Sequence, residues 1–180
     1  MKITVLGPGA WGTALAKIAH EGGHAVTLWG RPERLNSIGA ANENHQYLPG
    51  IALPGDWTLE PNLSTALFCA EGVILAVPSR SFSEITRQLG EFGGIAVSVT
   101  KGIEHETGRT MGGLIEADAP NATPVALSGP SLAAASSTSR IASKVPAESR
   151  PRAVRGCGCC CGCATGWRSV EGAGRSTAAA

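Results

Sequence analysis

Gly7, Gly9 and Gly12 stand in the order G-x-G-x-x-G within "LGPGAWGTALA", residues 6–16. A spacing of this kind can serve a pyrophosphate, which needs backbone N–H donors and the positive end of a helix dipole. Gly7 permits a tight turn out of a strand, and Gly9 lets the backbone approach the phosphates. Gly12 lets the following helix lie close to the sheet. The N–H groups of Ala10 and Trp11 then sit at the helix start, while Pro8 donates nothing and stiffens the loop. The bare motif is weak evidence. Here it follows a strand, opens a helix and precedes a second strand at the right distance, which is the context a dinucleotide site requires.

Further candidates lie at the ends of other expected strands. Arg31 follows "LWG" where NAD-specific sites place Asp or Glu for the ribose 2′-hydroxyl. Trp29 and Gly30 are not acidic, and an Arg can pair with a 2′-phosphate, which favours NADP over NAD, or tolerance of both. A solvated Arg at a helix start is the plainer alternative. Lys101 follows "IAVSVT", where ligands of open α/β sheets bind, and could meet an anionic substrate or cofactor. A snorkelling surface Lys would look the same. Pro78 and Ser79 end the strand before it, and "SGPS", residues 128–131, ends the last one with hydroxyls and a glycine turn.

The elements that must position these residues are expected as follows. "KITVLG" is a strand and Ala10–Ala19 a helix with Trp11, Ala14, Leu15 and Ile18 at helical spacing. "AVTLW" is a strand, and Pro32–Ile38 is a helix begun by Pro. Residues 42–62 read as loop, punctuated by Pro49, Gly50, Pro54, Gly55 and Pro61. "LSTALFCA" is a short helix and "GVILAV" a strand. Ser81–Leu89 is a helix with a Ser cap. "IAVSVT" is a strand, Thr110–Ala117 a helix and "TPVALS" a last strand. Strands alternate with helices and several are apolar throughout. The expected fold is therefore α/β: a doubly wound, mostly parallel Rossmann sheet, incomplete at its C-terminal end.

The 180 residues allow one domain of ordinary size. A net charge of +1 and 4% aromatic residues give no footprint for nucleic acid or an anionic membrane. No apolar run is long enough to span a bilayer, and the start lacks a signal-peptide pattern, so a cytoplasmic protein is expected. The periodic pattern stops near Ala135. Residues 1–134 are read as the dinucleotide-binding domain and 135–180 as a low-complexity Ser/Arg/Gly/Cys/Ala tail, expected to be disordered. Cys157, Cys159, Cys160, Cys161 and Cys163 are clustered there. The C-x-x-C pairs share Cys160 and no His lies near, so an oxidation-prone tail is expected rather than a metal site.

Taken together, "GPGAWGTALA", "LWGR", "LAVPS", "VTKGIEHETGR" and "LSGPSLA" resemble bacterial NAD(P)-dependent glycerol-3-phosphate dehydrogenase from Met1 to about Ala134. The resemblance implies cofactor contacts at Ala10, Trp11, Arg31 and Ala133, with Lys101 facing both cofactor and glycerol phosphate. It implies that Gly129 and Ser131 line the substrate phosphate. Its reaction interconverts dihydroxyacetone phosphate and sn-glycerol 3-phosphate for phospholipid synthesis. The family's general acid/base is a lysine of a helical second domain that has no counterpart in this sequence, so no catalytic residue is assigned. The chain alone is expected to be inactive, and a family-like homodimer is not expected without that domain. Gly and Cys codons of a GC-rich gene become Ala codons when shifted by one base, so the tail reads as a frameshift product near Ala135. The alternatives are a stand-alone dinucleotide-binding or redox-sensing module, and an enzyme completed by another chain.

Overall fold

A computed structural model describes residues 1–128. Eight strands and five helices follow one another along this stretch. They are β1 (Lys2–Leu6), α1 (Ala10–Glu21), β2 (Ala25–Trp29), α2 (Pro32–Ala41), β3 (Glu43–Asn44), β4 (Leu48–Ala52) and β5 (Thr58–Glu60). After these come α3 (Leu63–Leu67), β6 (Gly72–Leu75), α4 (Ser79–Leu89), β7 (Ile95–Ser98), α5 (Met111–Asp118) and β8 (Thr123–Ala126). Six strands form one sheet in the order β5-β2-β1-β6-β7-β8, with every pairing parallel. The chain winds outward from β1 in both directions, so the strand order reverses between β1 and β6.

Alternation along β1 shows why both faces are covered. Val5 packs into one apolar cluster with Ala16, Val26, Leu28, Leu35, Ile38, Leu53 and Trp57. Leu6 packs into the other, with Leu75, Phe82, Ile85, Met111, Leu114 and Ile115. Val5 and Leu6 are both fully buried, and successive side chains of a strand point to opposite faces. Each such aliphatic side chain contributes about 1.5–3 kcal/mol by leaving water.

Several elements differ from the sequence expectation. Residues 42–62 are not simply loop: β3 and β4 form an antiparallel hairpin, and β5 joins the main sheet beside β2. These strands have two, five and three residues, too short for an alternating pattern to stand out. β4 also carries Pro49 and Gly50, which the sequence alone reads as breakers. Helix α4 begins at Ser79 instead of Ser81, with Pro78 at its cap and no side-chain capping bond. Helices α1 and α2 run on to Glu21 and Ala41, and α2 ends at Asn42 in the left-handed region (φ 48°). Helix α3 stops at Leu67, three residues early. Thr110 caps α5 by accepting from the Gly113 N–H. The last strand stops at Ala126, two residues early, and Val125 and Leu127 are exposed. The tail from 135, with its cysteine cluster, and residues Gly129, Ser131 and Ala133 lie outside the described residues.

Candidate functional site

The parallel register brings the ends of four adjacent strands level. Leu6 pairs with Trp29 and with Leu75, and Leu75 pairs with Ser98. The segments that follow, Gly7–Gly12, Gly30–Arg34, Ala76–Pro78 and Val99–Thr100, therefore meet along one edge. They line a cavity of about 1110 Å³. It lies where the strand order reverses, the place at which open parallel sheets take their ligands.

The three glycines of the motif have separate physical roles. Gly7 has φ +108°, and a Cβ there would lie 2.6 Å from the Ala76 carbonyl oxygen. At Gly12 a Cβ would lie 2.0 Å from the Gly7 carbonyl oxygen, so helix α1 can approach the turn only with a bare Cα. A Cβ on Gly9 would meet nothing within 4 Å. Since Gly9 lines the cavity, that open space is cavity space. The loop is tied down by backbone bonds: Gly7 N–H donates to Trp29 O at 3.0 Å, and Thr13 N–H to Gly9 O at 2.9 Å. Gly9 caps α1 with no side-chain bond, and the first turn holds no acidic residue. The N–H groups of Ala10, Trp11 and Gly12 have no carbonyl within the helix to meet, and all three residues line the cavity. Such a cradle suits a pyrophosphate, and the residues present fit a dinucleotide.

Two supports were not legible in the sequence. Gly30, noted there only as non-acidic, gives room for the glycine loop. A Cβ at Gly30 would lie 2.6 Å from Pro8 Cδ and Cγ. Asn44, in the segment read as loop, is 2% exposed. Its Nδ2 donates to the Pro8 carbonyl at 2.9 Å and to Thr13 Oγ1 at 2.8 Å, and its Oδ1 accepts from the Tyr47 N–H at 3.3 Å. One buried amide thus joins the glycine loop, helix α1 and the β3–β4 hairpin. No local signal marks it, because Pro8 and Thr13 lie 36 and 31 residues away in the chain.

Around this cradle the walls carry side chains. Arg31 lines the cavity where the sequence expected it, and Glu33 and Arg34 from the same helical turn line it too. Arg34 rests over the Tyr47 ring, its Cζ 4.8 Å from the centroid. Trp29 lines the floor and donates its indole N–H to Pro61 O at 2.9 Å. The opposite wall is α4, through Ser81, Glu84, Ile85 and Gln88. Thr100 ties two strand ends by donating to Val77 O at 2.7 Å.

Lys101 is next in the chain to Thr100 but is exposed and is not among the residues lining the cavity. It opens a turn that closes on itself through a bridge between Ile103 and Thr110. Inside that turn the Glu104 carboxylate accepts from the Thr107 hydroxyl at 2.5 Å and the Thr107 N–H at 2.9 Å. Those bonds hold the Glu104 carboxyl below the usual carboxylate range. The structure thus brings Gly7, Gly9, Ala10, Trp11, Gly12 and Arg31 together, and leaves Lys101 exposed and outside the cavity lining.

Comparison with known proteins places this geometry. The family model described as "NAD-dependent glycerol-3-phosphate dehydrogenase N-terminus" matches residues 2–152. Among curated relatives, glycerol-3-phosphate dehydrogenase [NAD(P)+] of Bacillus mycoides is 39% identical over 139 residues, covering 73% of this chain and 41% of that protein. The protein of the same name from Azorhizobium caulinodans is 43% identical over 136 residues, with the same coverage. Among solved structures, glycerol-3-phosphate dehydrogenase of Coxiella burnetii superimposes with a TM-score of 0.70 at 26% identity, over 76% of this chain and 43% of that one. The Plasmodium falciparum enzyme gives 0.69 at 25%, over 77% and 43%. The chain spans about two fifths of the length of the curated relatives it matches.

Proposed function

This chain belongs to the family of NAD-dependent glycerol-3-phosphate dehydrogenase N-termini, and on that premise we propose that its glycine cleft holds NADP or NAD for an oxidoreductase acting on a small phosphorylated substrate. The observation that carries the reading is the contrast among the three motif glycines. Side chains at positions 7 and 12 would strike backbone, whereas one at position 9 would enter the cavity. Among the described residues a bare Cα at Gly9 serves no packing purpose, so in this reading it serves whatever lies in the cleft.

When bound, such a dinucleotide supplies or accepts a hydride. The residues of this chain bind and orient it. The open N–H groups of Ala10 and Trp11 receive the pyrophosphate, and Arg31 favours the extra phosphate of NADP over NAD. Lys101, on the rim, meets the anionic substrate, which by family is dihydroxyacetone phosphate or glycerol 3-phosphate. Gly129, Ser131 and Ala133 complete the phosphate and cofactor contacts in the same proposal. Hydride transfer also needs a proton donor held in near-attack geometry, which in the family comes from another domain. The residues of this chain therefore bind and orient the cofactor, in a cytoplasmic setting. Among the described residues no helix is long and apolar enough to cross a membrane.

Titration of the purified chain with NADPH and NADH tests the reading. Gly9→Val should leave the fold intact and weaken binding of both by at least about a hundredfold, since the new side chain occupies the pyrophosphate position. Unchanged affinity would remove the loop as the site. Arg31→Asp should shift preference toward NADH by about tenfold, the equivalent of one charge-assisted bond. An unaltered ratio would show Arg31 to be merely solvated. NADPH consumption that depends on dihydroxyacetone phosphate and is lost in Lys101→Ala would show the chain to be self-sufficient.

A further inference from the structure

Arg31 is the cation that the sequence offers to the cofactor, but a second guanidinium reaches the same wall. Arg34 lies one turn further along α2, and residues three apart on a helix are neighbours on one face. Both line the cavity beside the end of β2, which is where a dinucleotide fold places the adenosine ribose. Arg34 is partly buried and held over the Tyr47 ring at 4.8 Å. A guanidinium on an aromatic face is oriented by the ring quadrupole while its N–H edge stays available for bidentate bonds.

Tyr47 is itself held in place. Its N–H is bonded to Asn44 O at 3.2 Å and Asn44 Oδ1 at 3.3 Å. Asn44 in turn donates to the Pro8 carbonyl. A continuous set of contacts therefore runs from the pyrophosphate loop through the hairpin to Arg34. The positions of the loop and of Arg34 are linked without Arg31.

We propose that Arg34, stacked on Tyr47, is a second recognition group for a phosphate on the adenosine ribose, and that Tyr47 is its positioning residue. The proposal rests on the dinucleotide reading above and adds a residue to it. Glu33 is the competing group. It lines the cavity in the same turn, and a carboxylate there would accept from a ribose hydroxyl and repel a phosphate. Two guanidinium groups oppose one carboxylate at this corner, so the balance favours the phosphorylated cofactor.

The test uses the full chain, with NADPH and NADH as probes at low and moderate salt. Arg34→Gln should weaken NADPH binding about tenfold more than NADH binding, and the difference should shrink as salt rises. Tyr47→Ala should reproduce a smaller part of that shift, about threefold. Tyr47→Phe should restore the wild-type ratio, because it keeps the ring face; a role for the Tyr47 hydroxyl would not be rescued in this way. Both side chains reach the surface, so none of these variants threatens the core. Equal losses for both nucleotides in Arg34→Gln, or no loss, would overturn the proposal. A wild-type preference for NADH would also overturn it and assign the corner to Glu33. If the wild-type chain binds neither nucleotide, the dinucleotide reading itself fails, an outcome distinct from all of these.

Discussion

The two halves of the cleft are built in different ways. On the β1–β2 side, position is fixed by backbone and by missing side chains. Gly7, Gly12 and Gly30 admit Ala76 O, Gly7 O and Pro8 at distances that a Cβ would forbid, and a buried Asn44 ties the loop to the hairpin. On the β6–β7 side, the cavity is lined by Ala76, Val77, Pro78, Val99 and Thr100, and the cation that follows them lies outside that lining. Lys101 is exposed, and the turn behind it is closed by local bonds between residues 103 and 110. In the proposed reading, a pyrophosphate is met by N–H groups, which are only as well placed as the chain that carries them. In the same reading an anionic substrate is met by a side chain, which a self-contained turn can present.

Four substitutions and one acid titration would break that comparison if it is wrong. The largest effect is expected at Gly12. Gly12→Val puts a Cβ 2.0 Å from a backbone oxygen, and neither α1 nor the Gly7 turn can move without losing the sheet edge. A loss of at least about 3 kcal/mol is expected, at the severe end of overpacking, read as a lower denaturant midpoint. Gly9→Val sharpens the contrast, with binding lost and the midpoint unchanged.

Asn44→Ala comes next. It leaves the Pro8 carbonyl and the Thr13 hydroxyl without their partner in a buried place. A destabilisation of about 1–3 kcal/mol is expected, together with weaker binding of NADPH and NADH alike. Full stability in urea would mean that water replaces the amide and that the hairpin is not coupled to the loop.

The smallest effect concerns the Lys101 turn and acid. Glu104 has a lowered pKa, from the Thr107 hydroxyl first and the Thr107 N–H second. Its contribution is therefore fully present above the ordinary glutamate value of about 4.3. It is lost as pH falls through the lower folded value. The Thr107 amide resonance should titrate with a midpoint below the ordinary glutamate value, and Thr107→Val should raise that midpoint. A midpoint at or above the ordinary value in the wild-type chain would show that the turn is not held this way.

The fold and the phosphate cradle were legible because both depend on near-neighbours in the chain. The apolar run "KITVL", the G-x-G-x-x-G spacing and the small residues of α1 lie within 20 positions, and each imposes its conformation locally. Arg31 was legible for the same reason, standing two residues after a recognisable strand. The hairpin at 43–52 and strand β5 were not. Strands of two, five and three residues, the middle one carrying Pro49 and Gly50, have no periodicity of their own, and around them Leu48, Leu53 and Trp57 are buried.

By itself, the sequence determined the alternation of strand and helix, hence a parallel sheet, and the conformational freedom of Gly7. Steric exclusion and apolar periodicity act over a few residues and need no partner to be read. Only the tertiary structure decided that Asn44 grips Pro8, that Gly30 must be bare for Pro8 to fit, and that Arg34 leans on Tyr47 in the cleft. It also left Lys101 exposed and outside the cavity lining. Each of these depends on which distant segments meet, and that is fixed by burying the two faces of the sheet, not by the local chain.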